Sequence, residues 1–225
     1  MHEIQKILLK RLLLQNRQKY STLTMGYDFD DNVVFHLKQL INKGLVKKDN
    51  DMYLITVDGI RIISDFDLPT VENTGYKTFF IGFLCEIENE FLIKEHPTET
   101  TNFYNLPSGK PRFGESIENA LTRTFEANTG IVLAEGDFKF QSLHLKTIKT
   151  SQGDVLFDDA FTIYSVTINK TQKEKMQLHK QVSWKSIKEI NKLSNRWLEI
   201  DICILKKDIS PYLSYAVISD YILLE

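Results

Sequence analysis

Cysteine is almost missing from this chain: two residues in 225, Cys85 and Cys203. Each lies in an apolar run, FFIGFLCEI and LEIDICIL, with no CxxC pair and no Cys/His cluster nearby. That pattern excludes a disulfide framework and a zinc ribbon, and it leaves both thiols as small buried hydrophobes. No apolar run approaches the roughly 20 residues that a membrane-spanning helix needs. The opening MHEIQKILLKRLLLQ is apolar but broken by charges at helical spacing, unlike a secretory signal. These absences predict a cytoplasmic protein with no membrane partner. Excess charge of one sign is also missing. The net charge is −2, so any contact with nucleic acid must come from a local patch.

What is present is ordinary for a folded protein: 42% hydrophobic and 26% charged residues. The length suits one large domain or two small ones. In the first 70 residues Lys and Arg number ten (Lys6, Lys10, Arg11, Arg17, Lys19, Lys38, Lys43, Lys47, Lys48 and Arg61) against nine acids. Sign alone therefore names no partner.

The pattern says more. Ile4, Ile7, Leu8, Leu12 and Leu14 predict an amphipathic first helix, and TMGYDFDD a turn. In DNVVFHLKQLINKGLV, the residues Val33, Leu37, Leu40 and Ile41 recur at helical spacing. Asp30 or Asp31 is the expected N-cap and Gly44 the expected stop. LVKKDNDMYLITVDGIRII then reads as two strands around a polar turn. Helix, turn, helix and hairpin is the order of a winged helix-turn-helix. FHLKQLINKGLVKK with YLITVDGIRII resembles the recognition helix and wing of bacterial and archaeal winged-helix regulators. In that family the helix enters the major groove and the wing touches the backbone. Carried over, the resemblance makes Asn32, His36 and Gln39 base-facing candidates, and Lys38, Lys43, Lys47 and Lys48 phosphate candidates on double-stranded DNA. A winged helix also serves as a dimerisation or protein-docking module, and Asp28, Asp30 and Asp31 are unfavourable near phosphate.

DFDLPTVENTGYK is polar, with Pro69 and Gly75, and reads as a boundary. The expected division is a first domain over 1–68, a linker over 69–76 and a second domain over 77–225. In the second, KTFFIGFLCEI and EFLIKEH predict a hairpin turning at Glu88-Asn89-Glu90. A long irregular stretch, PTETTNFYNLPSGKPRFG, leads to a helix capped by Ser116, with Ile117, Ala120, Leu121 and Phe125 as its stripe and Gly130 as its end. FKFQSLHLKTI and LFDDAFTIYSVTI are strands, VSWKSIKEINKL is a strand end and a helix, and SPYLSYAVISDYILL reads as a closing helix. On the strand LFDDAF, Asp158 and Asp159 point to opposite faces, so only one of them can face a cleft. His144 on the preceding strand is a further candidate.

The stretch from Gly109 to Ile131 resembles the Nudix box, G-x5-E-x7-R-E-U-x-E-E-x-G-U with U a bulky aliphatic. Gly109, Glu115, Arg123, Phe125, Gly130 and Ile131 hold its frame. Leu106-Pro107-Ser108-Gly109 is similar to the family's Leu-Pro-Gly-Gly, and the likeness runs over about 76 to 208. It implies an α+β protein: a winged helix followed by a Nudix α/β/α sandwich with a mixed sheet. Nudix enzymes hydrolyse nucleoside diphosphate derivatives with magnesium or manganese. The box carboxylates that hold the metal are replaced here by Thr124, Ala127 and Asn128. Ala127 has no donor atom, and two neutral oxygens compensate poorly for a hard dication. Glu126 points about 100° away around the helix. The expectation is no metal and no cofactor, with Glu115 and Arg123 retained as structural parts. The whole resembles Nudix-related transcriptional regulators with domain order reversed. That resemblance implies a nucleotide-derived ligand, such as ADP-ribose, a homodimer, and DNA bound by the first domain. Gly109, Lys110, Arg112, Glu115 and Asn128 are the ligand candidates. The alternatives are a hydrolase with an atypical magnesium or manganese site and an interaction scaffold with neither ligand.

Overall fold

Apolar side chains at helical spacing build the first of two compact units, Met1–Tyr76 and Lys77–Glu225. The computed structural model describes residues 1–67, 69–70, 75–97, 102–208 and 210–218. Part of the expected 69–76 linker and the last residues of the expected closing helix lie outside them. Helix α1 spans Glu3–Leu14, opened by His2, whose ring accepts from the Ile4 amide. It buries Leu8, Leu9 and Leu12, but Leu14 is exposed, so the buried stripe ends two residues earlier than expected. Strand β1 (Gln18–Lys19) and a single-turn helix α2 (Tyr20–Leu23) lead into α3, Val33–Asn42, which buries Val33, Leu37 and Leu40 against the same core.

The ends of α3 divide the expectations. Gly44 stops it as expected: at φ +70 its amide donates to the Ile41 carbonyl, and the Leu45 amide donates to Leu40. The aspartates do not cap it. The N-cap position is Asn32, left-handed at φ 51 and without a side-chain cap bond. Asp31 accepts from the Asp28 amide at 2.9 Å and Asp28 from the Asp30 amide at 3.0 Å, so these carboxylates satisfy their own loop in place of the helix.

Strands β2 (Val46–Asp49) and β3 (Met52–Ile55) pair antiparallel, and β1 adds to β3, giving the order β1-β3-β2. The expected second strand ends early. Val57–Ile63 is helix α4, not sheet, because Thr56 caps it by accepting from the Gly59 amide at 3.1 Å. Gly59 is obligatory there: a Cβ would stand 2.2 Å from the Leu45 carbonyl oxygen.

The second unit is a mixed sheet between helical layers. Its strands are β4 (Thr78–Ile87), β5 (Glu90–Pro97), β6 (Asn102–Asn105), β7 (Ser108–Gly109), β8 (Phe138–Lys149), β9 (Val155–Thr167), β10 (Val182–Ser186) and β11 (Tyr212–Ile218). The main order is β10-β5-β4-β9-β8-β11, with β6 on β5 and β7 on β4. The predicted hairpin forms, with Glu88 and Asn89 both at positive φ as its two-residue turn. The stretch expected to be irregular supplies the two short strands β6 and β7. The expected closing helix is instead strand β11, parallel to β8. Its Leu213, Tyr215 and Val217 alternate inward with Ser214, Ala216 and Ile218, a period of two that a helical reading overlooks.

Helix α5 (Ile117–Thr129) is capped by Ser116 and closed by Gly130 at φ +73. It packs Ala120, Leu121 and Phe125 on the face of β4 that carries Ile81, Phe83 and Cys85. The opposite face, with Phe80, Leu84, Phe161 and Ile163, meets a helical segment near the C-terminal end of the described chain. That segment comprises α7 (Ile187–Lys192), α8 (Leu198–Ile200) and a π-helical turn over Asp201–Leu205. The short helix α6 (Lys170–Lys175) comes earlier in the chain, between β9 and β10. The unit is α+β.

Phe125 is 1% exposed and meets Phe83 and Phe138 edge-on, whereas its neighbour Glu126 faces solvent. Phe125→Ala is expected to cost about 3–5 kcal/mol in urea denaturation, and Glu126→Ala less than about 0.5 kcal/mol.

Candidate functional site

The Nudix-like loop is held together by one ion pair. Arg123, on the flank of α5, reaches back so that its Nε and a terminal nitrogen each donate to Glu115 at 2.7 Å. The same guanidinium donates to the Lys110 carbonyl at 3.2 Å, and Glu115 also accepts from the Arg112 amide at 2.8 Å. The Arg123 bonds and then the Arg112 amide hold the Glu115 carboxyl at about 2, well below its ordinary 4.5. Its lone pairs are therefore turned to the loop.

The positions where the resemblance puts metal ligands do not fit a divalent cation. Thr124 is 3% exposed, and Gly109 lies so close above it that a Cβ would stand 2.7 Å from the threonine methyl. Thr124 Oγ1 has no hydrogen-bond partner among the described residues and offers a neutral oxygen. Asn128 is buried and donates to the Thr124 carbonyl at 2.7 Å. Ala127 is exposed and carries no donor atom, and Glu126 is exposed beside it. Among the described residues no group of three His, Cys, Asp or Glu side chains is placed to hold a metal ion.

A cavity of about 330 Å³ opens on the other face of the sheet, at the end of the same loop. Its walls include Phe80, Phe103, Phe157, Phe161 and Trp197, and its polar groups include Ser108, Lys110, Lys146 and Asp159. Gly82 lets Phe161 lie flat on β4, since a Cβ there would stand 2.5 Å from the ring. Lys110 stands over the Phe80 ring at 5.0 Å. Lys146 is 4% exposed, donates to Glu199 at 2.5 Å and lies over both Phe161 and Trp197, 5.1 and 4.8 Å from their centroids. Asp159 is paired across the strands with Lys146 and is raised in pKa, first by burial. Its neighbour Asp158 points the other way, to Lys77 and to the Thr147 hydroxyl, as strand alternation requires.

Of the ligand candidates, Lys110 lines this cavity. Gly109 sits beside it on Thr124, while Arg112, Glu115 and Asn128 form the loop and helix behind it. His144 is not at the cavity. It is fully buried between the Ser142 and Tyr215 hydroxyls, at 3.1 and 3.2 Å. The aromatic walls escaped sequence reasoning, since five aromatic residues spread over three strands and the cap of α8 carry no shared spacing signal.

In the first unit, Asn32, His36, Gln39 and Lys43 form one stripe of α3, at spacings of four, three and four. His36 stacks on His2 at 4.2 Å, and burial lowers its pKa. Lys38, Lys43, Lys47 and Lys48 are exposed, Lys48 lying over Tyr53. Val34 and Phe35 on the same helix are half exposed.

Neither a family model nor a curated relative matches the chain. Solved structures similar to it include a mutator MutT protein from Bacillus halodurans, at 18% identity and TM-score 0.48, covering 64% of this chain and 92% of that one. Another is the Nudix domain of Shewanella oneidensis NrtR in complex with ADP ribose, at 10% identity and TM-score 0.47, covering 67% and 98%. A third is a MutT protein from Methanosarcina mazei, at 14% identity and TM-score 0.44, covering 60% and 95%. At such values the chemistry rests on the residues themselves.

The Glu115 carboxyl has a lower pKa folded than unfolded. Its contribution is present above the ordinary value of 4.5 and is lost as pH falls through the folded value of about 2. Wild type should exceed Glu115→Gln in stability by a constant margin above about pH 5, and the margin should close between pH 4.5 and 2. Denaturant titrations across that range measure it.

Proposed function

We propose that this protein is a nucleotide-responsive regulator. Its second unit binds a nucleotide-derived ligand in the aromatic cavity without hydrolysing it, and its first unit is a winged helix that binds double-stranded DNA, in a homodimer. The observation that supports this is a division within one loop. Residues 108–110 deliver Ser108 and Lys110 to a cavity walled by aromatic rings. Fifteen or so residues on, the helix that should carry metal-binding carboxylates carries Thr124, Ala127 and Asn128. Aromatic rings suit a base, and Lys110 at the cavity suits a phosphate. With Glu115 paired to Arg123 and the helix carboxylates absent, the site repels an anion less, and a sensor is served by leaving its ligand intact.

The reading of the first unit is supported by its element order, α1-β1-α2-α3-β2-β3 with a three-stranded sheet, and by the exposed lysines of α3 and β2. Its effect on DNA would follow from linkage: a ligand that favours one arrangement of the dimer changes DNA affinity by the difference in its own affinity for the two arrangements.

Two measurements on the full chain test this. The first incubates it with nucleoside diphosphate derivatives, ADP-ribose included, with magnesium and with manganese. Products are read by chromatography and melting temperature is followed in parallel. A rise in melting temperature without turnover, weakened by Lys110→Ala, is expected. Metal-dependent turnover that disappears in Glu115→Gln would make the protein a hydrolase. The second is fluorescence anisotropy on a mixed-sequence duplex. Binding should weaken as salt rises, and Lys47→Glu with Lys48→Glu should weaken it by about ten-fold or more at low salt. Affinity indifferent to both would remove DNA from the account.

A further inference from the structure

Asp159 is an unusual floor for an aromatic cavity. It is 8% exposed and lines the cavity, and its side chain forms no hydrogen bond or ion pair to a described residue. Lys146, its cross-strand partner, gives its ion pair to Glu199. The Asp159 carboxylate oxygens open to the cavity, where a bound molecule that brings N–H donors can engage them. Lys146 beside it is donor-only and calls for an acceptor on the same ligand.

We propose that Asp159 and Lys146 together select the base of the ligand, and that the base is guanine. An ionised carboxylate accepts two parallel hydrogen bonds and donates none. The ligand edge that satisfies it has two adjacent N–H donors, and Lys146 alongside adds the demand for a neighbouring acceptor. Among the common bases the edge reading acceptor, donor, donor is that of guanine: O6, N1–H and the 2-amino group. Adenine offers a donor and an acceptor, cytosine a donor and two acceptors, and uracil a donor between two acceptors. The aromatic walls would hold the ring plane, and Lys110 would meet the phosphates. Burial raises the proton affinity of Asp159, and two N–H donors favour its charged form, so binding and ionisation reinforce each other.

This inference rests on reading the cavity as a nucleotide site, and the test separates the two. Isothermal titration calorimetry on the full chain uses guanosine, inosine, adenosine and xanthosine 5′-diphosphates. Inosine lacks the 2-amino donor, and xanthosine has an acceptor in its place. Guanosine diphosphate should bind about ten-fold or more tightly than the inosine and adenosine compounds. Asp159→Asn, which turns one acceptor into a donor, should lose that preference and favour the xanthosine compound. Asp158→Asn, on the opposite face, should keep the guanosine preference. If adenosine or inosine diphosphate binds as tightly as guanosine diphosphate, or if the preference survives Asp159→Asn, the assignment of Asp159 is overturned and the cavity remains a nucleotide site. If none of the four binds, the nucleotide reading fails and this inference with it. Should Asp159→Asn not fold, the base series on the wild-type chain still decides between the first two outcomes.

Discussion

Lys146 and Glu199 form an ion pair at 2.5 Å where neither side chain sees solvent: their exposures are 5% and 0%. Taking two charges out of water is expensive, and their attraction recovers that cost only in good geometry. The pair joins strand β8, in the sheet, to the one-turn helix α8 that follows Trp197. Through it the sheet and the C-terminal helical segment hold the cavity between them. Lys146 makes this possible by lying over Phe161 from one strand and Trp197 from the helical segment, so that one ammonium serves an ion pair and two aromatic faces. Removing either partner would leave the other charge stranded in an apolar place. Glu199 Oε2 already has no hydrogen-bond partner among the described residues. The turn after α8 is π-helical, a local widening that accommodates Ile202, Cys203 and Ile204 against the sheet while Glu199 keeps its position.

The two faces of β4 explain how one unit keeps the Nudix-like frame and yet puts its chemistry elsewhere. On one face Ile81, Phe83 and Cys85 meet α5, and the frame residues Phe125 and Gly130 serve that packing. The burial is apolar and well filled, which accounts for a helix that persists without its carboxylates. On the other face Phe80 and Gly82 meet Phe161 and the cavity. The loop from Ser108 to Glu115 is the hinge between the two faces. Arg123 and Glu115 pin it from behind and Lys110 emerges in front, so the retained pair positions a cation and needs no metal to do so.

Much of this was legible in the chain. Ser116, Gly130 and Gly44 announced helix ends because capping and left-handed backbone are local requirements of single residues. The hairpin at Glu88 and Asn89 was legible from two apolar runs and a polar break. That Glu115 and Arg123 are structural parts was legible from their place in a known frame. The misreadings were also local. Tyr212–Ile218 looked helical, yet it is an edge strand that gains its hydrogen bonds from β8, more than sixty residues away in sequence. Val57–Ile63 looked like sheet because its Ile and Val residues favour strands, and Thr56 as a cap overrode that preference.

What the sequence determined alone was therefore the set of elements whose signals are short-range, the frame of the box helix and the loss of its acidic side chains. Those depend on residues within a turn or two of one another. The cavity was decided by tertiary structure. Phe80, Phe103 and Trp197 come from three separate elements and Phe157 and Phe161 from a fourth, β9, and no period in the chain links the four. Asp159 was visible as one of two neighbouring acids with opposite directions. Which of the two turned inward depended on the register of β9 against β4 and β8, where Thr78 meets Asp159 and Lys146 faces it across the pair. Register is a property of the assembled sheet, since a shift of one residue would send Asp159 out and Asp158 in.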